Sequence, residues 1–280
     1  QQPKPQYGGE LVLTGQLDKT MFPGRNTDAQ GMDVYLNSCE TLVELTADRE
    51  IRPLLAESWT MSADRKTVTF KLRQGVQFHD GTPFNAEAVA SVFNEALAKK
   101  FLYVSLLEGM QKVVADSEYQ VSFQMSAPSA ALIPNLGYRT MCIFSPTAYK
   151  AKGEEGLGSN IIGTGPFMFG DYKSKESVTL VANPQYFRGK PKLEKIVYRY
   201  ILSDASRDLA FTSGEIDLTY GKQDQTWVDR MKKEKDVVVE VFDPGELSVL
   251  YLNVDKPPLN DLRVRQALSY AIDRNQIWQF

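Results

Sequence analysis

The chain has 280 residues, 42% of them hydrophobic and 24% charged, an ordinary globular composition with room for about two domains. Its 32 basic residues are offset by 35 acidic ones for a net charge of −3, which leaves no basic face for a nucleic acid. No apolar run approaches the roughly 18 residues of a spanning helix, so a membrane-spanning helix is excluded as well.

The start, Gln1-Gln2-Pro3-Lys4-Pro5, lacks the charged and apolar regions of an export signal, so a signal was either never present or has been removed. Glu10–Thr14 alternates as a strand, and the polar stretch from Gly15 to Gly31 reads as a long loop of the functional kind. From Val34 to Leu45 the apolar spacing is compatible with a helix. Ser58–Met61 and Thr67–Leu72 then bracket a polar turn as a hairpin in strict period two. Asn85 caps a helix carrying Ala86, Val89, Ala90, Phe93 and Leu97, and Val113–Ala115 with Tyr119–Phe123 form a second hairpin.

Ala151–Gly158, rich in glycine and charge, is the expected domain crossing of the first half. Strands are expected at Phe167–Phe169, Val178–Val181 and Ile196–Tyr200, then a helix capped by Asp204 and stopped at Gly214. Ile216–Leu218, Val237–Val239 and Val249–Leu252 read as further strands around a helix near Thr226–Lys233. Finally, Asp261 caps a helix with Val264, Ala267, Leu268 and Ala271 on one face.

Catalytic and metal chemistry finds no foothold. The one histidine, His79, sits in a His-Asp-Gly turn and reads as a structural imidazole, and no protein-only metal site is expected. Gly163-Thr164-Gly165 starts like a dinucleotide fingerprint, but Pro166 and Met168 break it; phosphate loops and GxSxG elbows are absent. Cys39 and Cys142 match no metal or redox spacing and are expected as two buried free thiols, a single bridge being the alternative. No cofactor is expected. Met32, Phe101, Tyr103, Tyr138 and Arg139 would suit a cleft holding a polar organic ligand with aromatic walls and one fixed cation.

Several stretches together resemble the family 5 extracellular solute-binding proteins, the peptide, dipeptide and nickel receptors of ABC importers. They are Ala56–Trp59 with the Thr67–Arg73 strand, Val76–Asn85, Ile162–Phe167, Asn183–Phe187, Gly214–Asp217 and Leu262–Asp273, in the family's order. The resemblance implies an α/β fold of the periplasmic-binding-protein type (type II, cluster C). Its first ligand-binding lobe would combine 1–45 with 161–258, with a smaller α+β domain inserted at 46–160. Residues 259–280 would open a second lobe that is largely missing from these residues. It further implies an exported periplasmic receptor, monomeric and without enzymatic activity, that closes over a small-molecule or peptide ligand and docks on an ABC permease. Ligand-facing positions carried over from the family are Thr27, Met32, Phe101, Tyr103, Arg139, Gly245, Glu246, Leu247 and Ser248, with the nickel-receptor branch nearest in spacing. Two other readings stand beside it: a small-substrate hydrolase on the same scaffold, and an interaction module using the apolar face of the Val264–Ala271 helix.

Overall fold

The computed structural model describes residues 7–15, 20–25, 34–222, 224–241 and 249–273. Thr27, Met32 and Gly245–Ser248 lie outside them. The chain divides into two compact units, Gln1–Lys222 and Gln223–Phe280.

In the first unit, β1 (Glu10–Gly15) is followed by a short hairpin of β2 (Val43–Leu45) and β3 (Ile51–Pro53), turning at Arg49, whose φ is 63°. This corrects the helical reading of Leu42–Leu45: only Val34–Leu36 is helical, and the alternation across Val43–Leu45 resolves as a strand once Ile51–Pro53 supplies its partner. Then come β4 (Ala56–Met61), β5 (Thr67–Leu72), α1 (Ala86–Lys99), β6 (Met110–Ser117) and β7 (Gln120–Met125). Next are α2 (Leu132–Leu136) and α3 (Pro146–Ser159). Ala151–Gly158 therefore lies inside a helix, held by the Ser145 cap and interrupted where Gly153 turns to φ 66°. The unit continues with β8 (Phe167–Lys173), β9 (Ser177–Ala182), β10 (Lys195–Tyr200) and α4 (Asp204–Thr212), whose N-cap is Ser203 and not Asp204.

Two four-stranded sheets organise these elements, in the orders β1-β10-β9-β8 and β4-β5-β7-β6. In the first, β1 runs parallel to β10 with Leu13 opposite Tyr198, and period-two alternation turns Leu13, Val178, Leu180, Ile196 and Tyr198 into one core with Met21, Val34 and Phe167. Ile216–Leu218 forms no full strand. Leu218 makes a single parallel bridge to Leu13, and the Asp217 carboxylate accepts from the Val12 amide at 2.8 Å.

The second sheet is antiparallel throughout and buries Val68, Phe70, Leu72, Val121 and Phe123 under α1. Asn85 caps that helix by accepting from the Ala88 amide at 2.9 Å, and its Ala86, Val89, Phe93 and Ala96 face the sheet. Phe123 lies edge-on to both Phe93 (5.0 Å) and Phe70 (5.4 Å), each burial contributing about 2–3 kcal/mol.

The free-thiol expectation fails: Cys39 and Cys142 form a disulfide across 103 residues, their Cα atoms 5.5 Å apart. They meet because Glu40 bridges Ile143, a long-range contact that sequence spacing does not encode.

The second unit contains α5 (Gln225–Met231), capped by Asp224, and α6 (Leu262–Ala271), capped by Asp261. Val237–Val239 and Val249–Leu252 are not strands; Val238, Val249, Leu250 and Tyr251 are exposed. A strand needs a neighbour for its backbone groups, and no strand is present among this unit's described residues.

Candidate functional site

Two features stand out: an exposed border that carries a cation, and a polar neck between the sheets. The border begins where α1 ends at Lys100 in a left-handed conformation (φ 51°) and the chain enters a 3-10 turn, Leu102–Leu107. Phe101 and Tyr103 point inward and are only 2% and 3% exposed. Phe101 packs edge-on to Phe22 at 5.2 Å, and the Arg25 guanidinium lies 5.3 Å from its ring while pairing with Glu154. Gly24 permits this approach, because a Cβ there would fall 2.7 Å from Phe22 and 2.8 Å from Phe101. The Tyr103 hydroxyl is buried without a partner, and burial raises its pKa.

Helix α2 then brings the Arg139–Met141 3-10 turn alongside. Asn135 Nδ2 donates to Leu106 O at 2.6 Å and Asn135 O accepts from the Tyr138 amide at 2.9 Å. Leu102, Leu106, Tyr138 and Arg139 are exposed. Of the residues proposed from sequence, the structure thus brings Arg139 to the same border as the segment of Phe101 and Tyr103, but turns those two rings into the core. Leu102 and Leu106 were missed. The signal for them was the turn itself, in which Tyr103 and Leu107 share the buried side and leave Leu102 and Leu106 outside.

The neck gathers around Gly163-Thr164-Gly165. Cβ atoms at Gly163 and Gly165 would fall on the Ser38–Cys39 backbone, so only glycine admits this crossing. Gly165 O accepts from Asn183 Nδ2 at 3.1 Å and lies 2.9 Å from His79 Nε2, which must carry the proton because a carbonyl only accepts. Burial lowers the His79 pKa and keeps the ring neutral, with Nδ1 buried and unpartnered. Beside it Glu40 is buried and pushed up to about 7 by desolvation, against Tyr186 Oη and Thr164 Oγ1, which donate to it at 2.7 and 3.0 Å. Asp80 stays below the usual carboxylate range: burial opposes this, but Ser145 and Thr82 donate to it, each at 2.6 Å.

With His79 Nδ1 as the exception, these polar groups are tied by hydrogen bonds that link five segments of the chain, an arrangement that suits a joint. Among the described residues no group of three or more His, Cys, Asp or Glu could hold a metal ion. No helix of the described residues is long and apolar enough to cross a membrane. The border thus carries the exposed Arg139 in the same region as the exposed Leu102, Leu106 and Tyr138 side chains.

Residues 50–279 match the bacterial extracellular solute-binding proteins, family 5 (Middle). The chain is 32% identical over 272 residues to the nickel-binding periplasmic protein of Escherichia coli K12, covering 95% of this chain and 51% of that protein. To the probable D,D-dipeptide-binding periplasmic protein of the same organism it is 31% identical over 276 residues, covering 94% and 53%. Among solved structures, MoaA of A. tumefaciens R10 in complex with mannopinic acid superposes with a TM-score of 0.87 at 33% identity, covering 98% of this chain and 57% of that one. NikA of Brucella suis with Fe(III)-EDTA gives 0.81 at 29%, covering 96% and 55%. The chain thus has the α/β fold of periplasmic binding proteins and spans about half the length of the curated relatives it matches.

Proposed function

Because the chain belongs to family 5 of the bacterial extracellular solute-binding proteins, we propose that it serves as a receptor that captures a carboxylate-bearing solute, peptide or metal chelate and passes it to an ABC import permease. Binding, not turnover, is its task. The observation that carries the reading is Arg139, exposed on a short turn that follows the exposed Tyr138, just after the Asn135 side chain that donates to Leu106 O. A guanidinium offers a planar pair of donors to a carboxylate, and apolar neighbours strengthen that bond by excluding water.

On this reading residues 1–45 and 161–258 form the first ligand-binding lobe, 46–160 an inserted domain, and 259–280 the start of a second lobe. The pairing of β1 with β10 and the self-contained β4–β7 sheet support the first two assignments. Thr27, Met32 and Gly245–Ser248, outside the described residues, are the remaining ligand-facing positions that the family resemblance implies. A ligand bridging two lobes shifts a hinge equilibrium only by its differential affinity for the closed form, which is the signal a permease can read. Export is supported by the Cys39–Cys142 disulfide, a bond that persists in oxidising compartments, and by the periplasmic relatives.

Titration calorimetry with mannopinic acid, the dipeptide Met-Leu and nickel chelated by a polycarboxylate tests this. At least one is expected to bind, and Arg139→Ala to weaken it about ten- to a hundredfold, the worth of a charge-assisted hydrogen bond. Binding of none, or affinity indifferent to Arg139→Ala, overturns the reading.

A further inference from the structure

The disulfide joins the turn that carries Arg139 to the segment that fastens onto the first sheet. Cys142 directly follows Arg139–Met141, a three-residue 3-10 turn closed by the Met141 amide donating to Tyr138 O at 2.8 Å. Turns of this kind have weak internal geometry and depend on their surroundings. The Thr140 hydroxyl is buried without a hydrogen-bond partner, and of the turn's three side chains Met141 is the one buried in the core. Ahead of the turn, Gly137 packs where a Cβ would fall 3.2 Å from Val43 O and 3.3 Å from Leu45.

On the other side of the bond, Ser38 O accepts from the Gly165 amide at 3.1 Å and Asn37 O from the Phe167 amide at 2.9 Å, so Cys39 is tied to the first residue of β8. A further link runs from the Ile143 amide to Glu40 O at 2.8 Å. A continuous path therefore leads from β8 through Asn37–Cys39 and the sulfur bridge to Arg139. The α1-covered sheet, which the same disulfide encloses within its loop, is held by its own ladders and core.

We propose that the Cys39–Cys142 disulfide is a positioning device for Arg139, fixing its turn against the Asn37–Glu40 segment, and that reduction releases the turn while the sheets stay folded. The proposal rests on the reading of Arg139 as a ligand-binding residue. Cleavage by a dithiol delivers two electrons and two protons: the reagent closes to its own cyclic disulfide, and Cys39 and Cys142 become thiols. Both cysteines are buried, 1% exposed each, so the dithiol reaches the bond only as this region opens.

The test is 15N relaxation on the full chain in three forms: oxidised, reduced with dithiothreitol in native buffer, and Cys39→Ala/Cys142→Ala. Amide order parameters at Arg139, Thr140 and position 142 are expected to fall from about 0.85 to below about 0.6 in the second and third forms, with Val121 and Phe123 unchanged. Rigid values at the turn in both altered forms overturn the proposal, and so does an equal loss at Val121 and Phe123, which would mark a general staple. No ligand enters this measurement, so its failure is distinct from failure of the calorimetric test of Arg139.

Discussion

Among the described residues up to Lys222 the chain places ten strands in register and buries two apolar cores. Beyond it, α5 buries Trp227, Val228 and Met231, whereas α6 buries none of its side chains and the valine-rich segments around it stay irregular and exposed. The apolar patterning in the two regions is similar, so pattern alone does not make a sheet. A helix satisfies its backbone within itself and can form from a cap and a few good residues; a strand is completed only by a neighbour.

The contrast is broken most sharply by truncating one aromatic in each region. Phe123, wholly buried between Phe70 and Phe93, should cost about 3–5 kcal/mol as Phe123→Ala. Tyr251, 89% exposed, should cost no more than about 0.5 kcal/mol as Tyr251→Ala. Urea unfolding followed by circular dichroism measures both, and equal losses would erase the distinction between the regions.

Glu40 gives an intermediate effect with a definite sign. Its folded pKa of about 7 lies above the ordinary 4.5, so its contribution to stability is fully present below about pH 4.5 and is lost as pH rises through about 7. That loss amounts to about 3 kcal/mol. Glu40→Gln does not titrate, so its stability relative to the parent should rise by about that amount between pH 4.5 and 8, read from urea midpoints. His79 works in the opposite sense: its lowered pKa gives stability that is present above about 6.5 and fades in acid. The histidine is common to both proteins and cancels in the difference.

The smallest effect probes what the two regions share. Asn85 and Asp261 each accept a backbone hydrogen bond as N-caps, at 2.9 and 2.8 Å. Asn85→Ala should lower the stability of the first unit by about 1 kcal/mol. Asp261→Ala should show chiefly as lost helical ellipticity, because α6 buries no side chain through which a cap could act on a core.

Caps and hairpins were legible in the sequence because their causes are local: Asn85, Asp261, the period-two runs of β5 and β7, and Gly214 at its positive φ of 77°. The neck was not. Cys39 finds Cys142, and Glu40 finds Tyr186 and Thr164, across more than a hundred residues of chain, and only the folded backbone brings them together. Gly163 and Gly165 were visible as a sharp turn, yet the reason for them, a backbone crossing at Ser38–Cys39, lies outside their own segment. At the candidate site the segments were legible and the facing was not. Phe101 and Tyr103 could as well have pointed outward, until the aromatic ring set of Phe22 and Tyr149 claimed Phe101 for the core.

The contact of Asp217 with β1 bears on how such a protein survives at high concentration. β1 is the outermost strand of its sheet, and the free amides of an outermost strand invite a second chain to add on and begin a fibre. Here the Val12 amide is taken by the Asp217 carboxylate and the Thr14 amide by Leu218 O, so a segment of the same chain some 205 residues away occupies two of the positions on which an incoming strand would pair.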